Sequence, residues 1–275
     1  MADIAAQLRY APRSIGTPGH EQTFAYIKAE LAKTSAKAVK TQSWSYEAPA
    51  RNTIELTNLI ASFNPENPRR IIVATHYDSI VRAYRDAEKP NDPMPGANNS
   101  ASGVAVLLET ARALSALPPA PFGVDFIFFD GEEGPHALGE GDPQWAPIGS
   151  RYFAAHLSDI YPDRKPEKAV DFDMVCYKNL RLNPDMSSLL YAGAEVRKFW
   201  GIGKSISPEV FELDRIEAPI GDDHTALAGA GIPSFVVIDF KYEPWYNTTK
   251  DTIDKCSAKS LEAVGRTLLR YLYTP

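Results

Sequence analysis

Three short apolar stretches constrain this chain most: Ile71-Ile72-Val73-Ala74, Val124–Phe129 and Ser234–Ile238. Each is too short for a helix of its own and reads as a buried strand. Between them lie segments with helical spacing. Residues 18–34 carry Phe24, Ile27 and Leu31 three and four apart, and residues 100–116 carry Val104, Leu107, Leu108, Ala111 and Leu114 on one face. Further helices are expected over 148–158, 191–200, 223–230 and 257–272, and further strands over 38–47, 52–63 and 169–175. Strands apolar on both faces that alternate with helices imply a largely parallel sheet between two helical layers. Residues 38–63 hold two strands with no helix between them, which predicts an antiparallel edge. The expected architecture is a three-layer α/β/α fold with a mixed, mostly parallel sheet, formed by residues 1–275 as a single domain.

Composition excludes several function classes. The 275 residues carry 29 Lys and Arg against 35 Asp and Glu, a formal net charge of −6. Nucleic acids and anionic membranes need a basic face, so neither is expected as a partner. No apolar run approaches a bilayer span. Met1-Ala2-Asp3-Ile4 shows no basic region followed by an apolar stretch, so no signal peptide is expected there. A chain with its leader removed would read the same, which leaves the compartment open. Two cysteines exclude a disulfide scaffold and a cysteine zinc ribbon. A nucleotide site is disfavoured, because Gly96–Gly103 has no lysine and no phosphate-type glycine loop follows the early strands.

In open α/β sheets, ligands bind beyond the carboxyl ends of the strands. The polar residues that follow the buried strands are His76-Tyr77-Asp78, Asp130-Gly131-Glu132-Glu133 and Asp173. Asp222-Asp223-His224 precedes the strand at Ser234, and Trp245-Tyr246-Asn247-Thr248 follows it. Carboxylates with one or two imidazoles suit a divalent metal of the zinc class. Each piece also has a plain structural reading: a surface turn, a solvated acidic turn, or a helix start with Asp222 as N-cap. Without a metal, adjacent Glu132 and Glu133 should repel, and one should titrate high.

These strings resemble the co-catalytic zinc aminopeptidase family, which includes the glutaminyl-peptide cyclotransferases. The resemblance rests on Ala74-Thr75-His76-Tyr77-Asp78-Ser79, Gly96-Ala97-Asn98-Asn99-Ser100, Phe128-Phe129-Asp130-Gly131-Glu132-Glu133, Gly149-Ser150-Arg151-Tyr152, Asp173-Met174-Val175, Asp222-Asp223-His224 and Gly231-Ile232-Pro233. It runs in order from about residue 15 to the C-terminus, and Asp222-Asp223-His224 together with the Asp130-Gly131-Glu132-Glu133 context resembles the cyclase-like branch more than the typical aminopeptidases. The resemblance implies a zinc cofactor and a peptide or peptide-like substrate, with hydrolysis at the amino end or cyclisation of N-terminal glutamine as the activity. His76 and Glu133 become metal ligands, with Asp78 behind His76, and Glu132 becomes the general acid/base. Asp173 becomes a ligand or a catalytic carboxylate, while Asp222 and His224 line the pocket and hold the transition state.

Two positions depart from the family pattern. Asn99 stands where the family has a metal-binding Asp, and Asn247 where it has a ligand His. The implied ligand set falls from three carboxylates and two imidazoles to two carboxylates and one imidazole. A carboxamide offers one neutral oxygen where a carboxylate offers charge and two, so weak or absent zinc binding is expected. A metal-free peptide-binding homologue is the alternative to an enzyme. Both asparagines also have local explanations, Asn99 as the N-cap of helix 100–116 and Asn247 in an Asx-turn. Trp245 and Tyr246 flank the ligand loop and are expected to line the substrate pocket. Trp145 and Trp200 are weaker candidates. His136 could replace a missing ligand or simply be solvated. Cys176 reads as an inert buried thiol or a soft replacement ligand, and Cys256 has no assigned role.

Overall fold

A computed structural model of the protein describes residues 1–48, 53–134 and 145–275. His136 lies outside the described residues. In chain order the elements are α1 (Ala2–Leu8), α2 (Pro18–Leu31), β1 (Ala38–Glu47), β2 (Thr53–Phe63), β3 (Arg70–His76), α3 (Ala101–Ala116), β4 (Gly123–Phe129), α4 (Ile148–Ala155), α5 (Leu157–Ile160), β5 (Lys168–Asp173), α6 (Met186–Ile206), α7 (Asp223–Gly229), β6 (Ser234–Ile238), a 3₁₀ turn at Ile253–Lys255, and α8 (Ala258–Leu272).

The six strands form one sheet in the order β1-β2-β4-β3-β5-β6. β3, β4, β5 and β6 pair in parallel, and β2 joins β4 antiparallel with β1 outside it. The expected antiparallel edge is therefore the β1–β2 ribbon. Alternate residues of the central strands feed two cores. Ile71, Val73, Phe126, Phe128, Val170 and Phe172 face a layer made by α2, α3, α6 and α8. Ile72, Ala74, Ile127, Phe129 and Ala169 face α4, α5 and α7. This is the three-layer arrangement the strand pattern predicts.

Several boundaries differ from the sequence reading. The helix expected at 148–158 breaks at His156, giving α4 and α5. The helix expected at 191–200 runs from Met186 to Ile206, because Asp185 caps it by accepting from Ser188 N at 3.0 Å. β5 stops at Asp173, where Met174 turns into the left-handed region at φ 48°. α1 was not expected; it docks on α3, with Gln7 Nε2 donating to the Ala101 carbonyl at 3.1 Å. The reading of Cys176 as a free thiol or soft ligand is also corrected. Cys176 and Cys256 form a disulfide across 80 residues, joining the segment after β5 to the turn before α8.

Candidate active site

His76, Glu132, Glu133 and Asp173 sit at the carboxyl edge of the parallel strands, where β3, β4 and β5 end together. His76 closes β3, Glu132 and Glu133 follow β4, and Asp173 closes β5. Asp222 opens α7, and its carboxylate accepts from Asp223 N at 2.6 Å, so it is the N-cap as well as a site residue. A cavity of about 340 Å³ lies over this edge. Its polar wall is Asn99, Glu132, Glu133, Asp173, Asp222 and Asn247. Its apolar wall includes Trp145, Met174, Ile220, Ile238, Phe240 and Tyr246. Trp245 is not in the lining; it packs beside Met174 and Ile220 with Lys255 over its ring. His224 is not in the lining either. It is fully buried with both ring nitrogens unpartnered, and burial pushes its imidazole down to about 4. Trp200 is a core residue whose indole donates to the Leu182 carbonyl.

Asp78 organises the proton-bearing groups. Its two oxygens accept from Glu132 N and Glu133 N, both at 3.1 Å, and Oδ1 lies 3.3 Å from His76 Nδ1. The other ring nitrogen, His76 Nε2, is 3.4 Å from Asp173 Oδ1 and 3.9 Å from Glu132 Oε2. Burial opposes charge on His76, but Glu132, Asp173 and Asp78 outweigh it and hold the imidazole protonated well above its ordinary range. Glu132 is pushed far up by burial and by the neighbouring carboxyls of Glu133, Asp222 and Asp223. Glu133 is pushed up to about 8, mainly by burial. Both adjacent glutamates thus titrate high, where the sequence predicted one.

The two asparagines do not play the local roles their positions suggested. Ser100, not Asn99, is the N-cap of α3. Asn99 instead turns its amide into the cavity, and Nδ2 donates to Glu133 Oε1 at 2.6 Å and to Asn247 Oδ1 at 3.2 Å. Asn247, at φ 53°, spends its side chain on this chain of amides: Oδ1 accepts from Asn99, and Nδ2 donates to Tyr84 Oη at 3.3 Å.

The scaffold of these loops rests on residues the sequence did not single out. Arg13 is fully buried and donates to the carbonyls of Tyr77 at 2.7 Å and Gly96 at 2.6 Å and to Ser100 Oγ at 3.2 Å, tying the His76 loop to the Asn99 loop. Asp251 accepts from Asn98 N, Asn99 N and Tyr242 Oη, at 2.9, 3.1 and 2.7 Å. Neither has a local sequence signal, since their partners are more than sixty residues away in all but one case.

Residues 58–272 match Peptidase family M28. The chain belongs to that family. It is 32% identical over 155 residues to a glutaminyl-peptide cyclotransferase-like protein of Bos taurus, which covers 54% of this chain and 37% of that protein. It is 28% identical over 228 residues to aminopeptidase YwaD of Bacillus subtilis, covering 78% of this chain and 44% of that protein. The chain thus spans less than half the length of these two relatives. Among solved structures, a Zn-dependent exopeptidase from Parabacteroides distasonis superposes with a TM-score of 0.91 at 29% identity, covering 100% of this chain and 96% of the other. The mixed six-stranded sheet and its helical layers are the M28 fold, and zinc is the metal the family implies.

The donors present here do not fit that metal well. Glu133 is engaged by the Asn99 amide, and the Asn99 carbonyl oxygen is buried without a partner. His76 and Asp173 stand together, with Nε2 3.4 Å from Oδ1, but Glu133 does not complete a set of three with them: among the described residues, the one set of three acidic or imidazole groups with ligand atoms within 4.8 Å of one another is Asp171, Asp222 and Asp223.

Proposed function

We propose that this chain is an M28-family protein that binds the amino end of a peptide in the acidic cavity, with a zinc site too impaired by Asn99 and Asn247 to support appreciable hydrolysis or cyclisation. The observation that carries this reading is the amide chain from Tyr84 through Asn247 and Asn99 to Glu133. It engages the Glu133 carboxylate and the Asn247 carbonyl oxygen, which a metal would need to take over. An amide nitrogen pointing at Glu133 presents hydrogen to the place where an ion needs an electron pair. The cavity retains what peptide recognition requires. Glu132, Asp173 and Asp222 offer carboxyl oxygens to an ammonium, and Trp145, Met174, Ile220 and Phe240 offer an apolar wall to the first side chain. The cyclotransferase-like and aminopeptidase relatives support a substrate approached from its amino end.

Two assays test this on the protein as it stands. Calorimetry should show binding of a short peptide with a free amino end and none of its N-acetylated counterpart. Aminopeptidase and glutamine-cyclisation assays with added zinc should show no turnover by the parent chain. Turnover should appear in Asn99→Asp/Asn247→His and vanish again when Glu132→Gln is added, because Gln cannot shuttle a proton. Zinc-dependent turnover by the parent would refute impairment, and equal binding of the acetylated peptide would refute amino-end recognition.

A further inference from the structure

The two edges of the sheet are finished differently. β6 is five residues long, and one of its backbone donors, Val236 N, is taken by Ser188 Oγ of α6 at 3.0 Å. β1 closes the other edge over ten residues, Ala38–Glu47. Its inner side pairs with β2 in one unbroken register, from Ala38 opposite Ser62 to Glu47 opposite Thr53, so no bulge turns it aside. Among the described residues, the backbone of residues 38–47 bonds to nothing outside β2. An open edge is normally protected by shortness, proline, a bulge or several charges. The stretch Thr41-Gln42-Ser43-Trp44-Ser45-Tyr46 has no proline and no charge, and Thr41, Ser43 and Ser45 are exposed.

The charges stand at the two ends and have opposite signs. Lys37 and Lys40 lie at the start of the strand and Glu47 at its end, and all three are exposed. Among the described residues none of the three has an ion-pair partner. Glu47 accepts from Thr53 Oγ1 at 2.8 Å. An antiparallel copy of the same strand, laid alongside, brings each lysine end to a glutamate end. The two-fold axis of such a pair stands perpendicular to the joined sheet and keeps each face on its own side, so facing residues are both even-numbered or both odd-numbered. One register meets that condition and also pairs the charges. With Gln42 facing Gln42 of the second copy, Lys37 faces Glu47 at both ends, Lys40 faces Trp44, and no like charges meet. A shift of two positions either way sets Glu47 against Ser35 or Val39 instead.

We propose that β1 pairs antiparallel with β1 of a second copy of this chain, centred on Gln42, to form a symmetric dimer with one continuous sheet. β1 runs in the same direction as β4, since each is antiparallel to β2. The second copy runs the opposite way, so the two cavities open at opposite ends of the joined strands and the interface covers neither. The dimer is independent of how zinc or a peptide binds in the cavity.

Sedimentation equilibrium of the whole chain tests this. The mass should climb from 30.3 kDa towards twice that value as concentration rises. Lys37→Glu and Glu47→Lys should each weaken dimerisation about tenfold at low salt, because each turns two facing pairs from attraction to repulsion. Combined in one chain, the two exchanges should restore it, which a folding defect could not do. Gln42→Cys should give a disulfide-linked dimer on mild oxidation, since facing Cβ atoms stand about 4.5–5.5 Å apart. Ser45→Cys should not, because in this register it lies about 20 Å from its own copy. The native cysteines are bonded to each other and offer no competing thiol. A mass of 30.3 kDa at every concentration up to about 1 mM would overturn the proposal. A dimer that ignores the charge exchanges, is not restored by their combination, or cross-links through Ser45→Cys and not Gln42→Cys would overturn it too, because another surface or register would then hold it.

Discussion

Replacing Glu133 by glutamine should flatten the pH dependence of stability, and the structure sets the size of the effect. Glu133 is buried and raised from the ordinary 4.5 to about 8, chiefly by loss of water. A carboxyl that binds its proton more tightly when folded favours the folded state wherever it is protonated there. Its contribution is complete below about pH 4.5 and drains away as pH rises through 8. The full span corresponds to about 5 kcal/mol. That is a ceiling, because Glu132 competes for the same protons. The glutamine side chain of Glu133→Gln keeps a carbonyl oxygen for the Asn99 amide, from which Glu133 Oε1 now accepts at 2.6 Å, and it has no charge to desolvate. In chelator, urea unfolding of parent and Glu133→Gln should give similar stabilities near pH 5. The curves should diverge above pH 7, with the variant the more stable by several kcal/mol at pH 9. A shallower slope should persist in the variant, because Asp171 and Asp239, both raised to about 7 by burial, act with the same sign. Parallel curves from pH 5 to 9 would refute the claim that Glu133 is a buried, uncompensated carboxyl.

Two further outcomes follow from the scaffold. Cys176→Ser with Cys256→Ser, or reduction of the parent, should destabilise the fold by about 2–5 kcal/mol in denaturant titrations, because the bridge closes 80 residues of chain. Unchanged stability on reduction would show that the two loops are held by other contacts. Arg13→Met should cost about 3–5 kcal/mol, since it strands the Tyr77 and Gly96 carbonyls and removes the positive charge that acts on buried Asp251 and Asp78. Removing the solvent-facing pair of Arg69 with Glu167 should cost far less, and equal effects in the two variants would refute the bridging role of Arg13.

The fold was legible in the sequence where hydrophobic periodicity carried it. β3, β4 and β6 were found because both their faces are buried, and the β1–β2 edge because two strand patterns adjoin without a helix between them. α1 escaped because seven residues give too few turns to show a period. Half of α6 escaped because its cap, Asp185, lies several residues before the first residue assigned to it. At the site, residues at strand ends were legible because a parallel sheet delivers them to one edge. The side-chain partners of the two asparagines were not legible. Local chemistry pointed Asn99 at its own helix and Asn247 at its own turn, whereas burial turned both into the cavity, where an amide without a partner is costly. Asp171 was hidden between Val170 and Phe172 in an apolar strand, and Arg13, Asp251 and the disulfide depend on contacts across long stretches of chain.

The central claim is that Asn99 and Asn247 disable a zinc site that the rest of the chain still frames. Calorimetric zinc titration of the parent, each single variant and Asn99→Asp/Asn247→His tests it most directly. The account predicts weak or undetectable binding by the parent. Partial recovery is expected in Asn99→Asp, which returns a carboxylate beside Glu133, and less in Asn247→His, which adds a neutral ligand. The double variant should bind more tightly than the two single effects combined, because both groups would hold the same ion. Tight zinc binding by the parent chain, at an affinity the double variant does not improve, would contradict it.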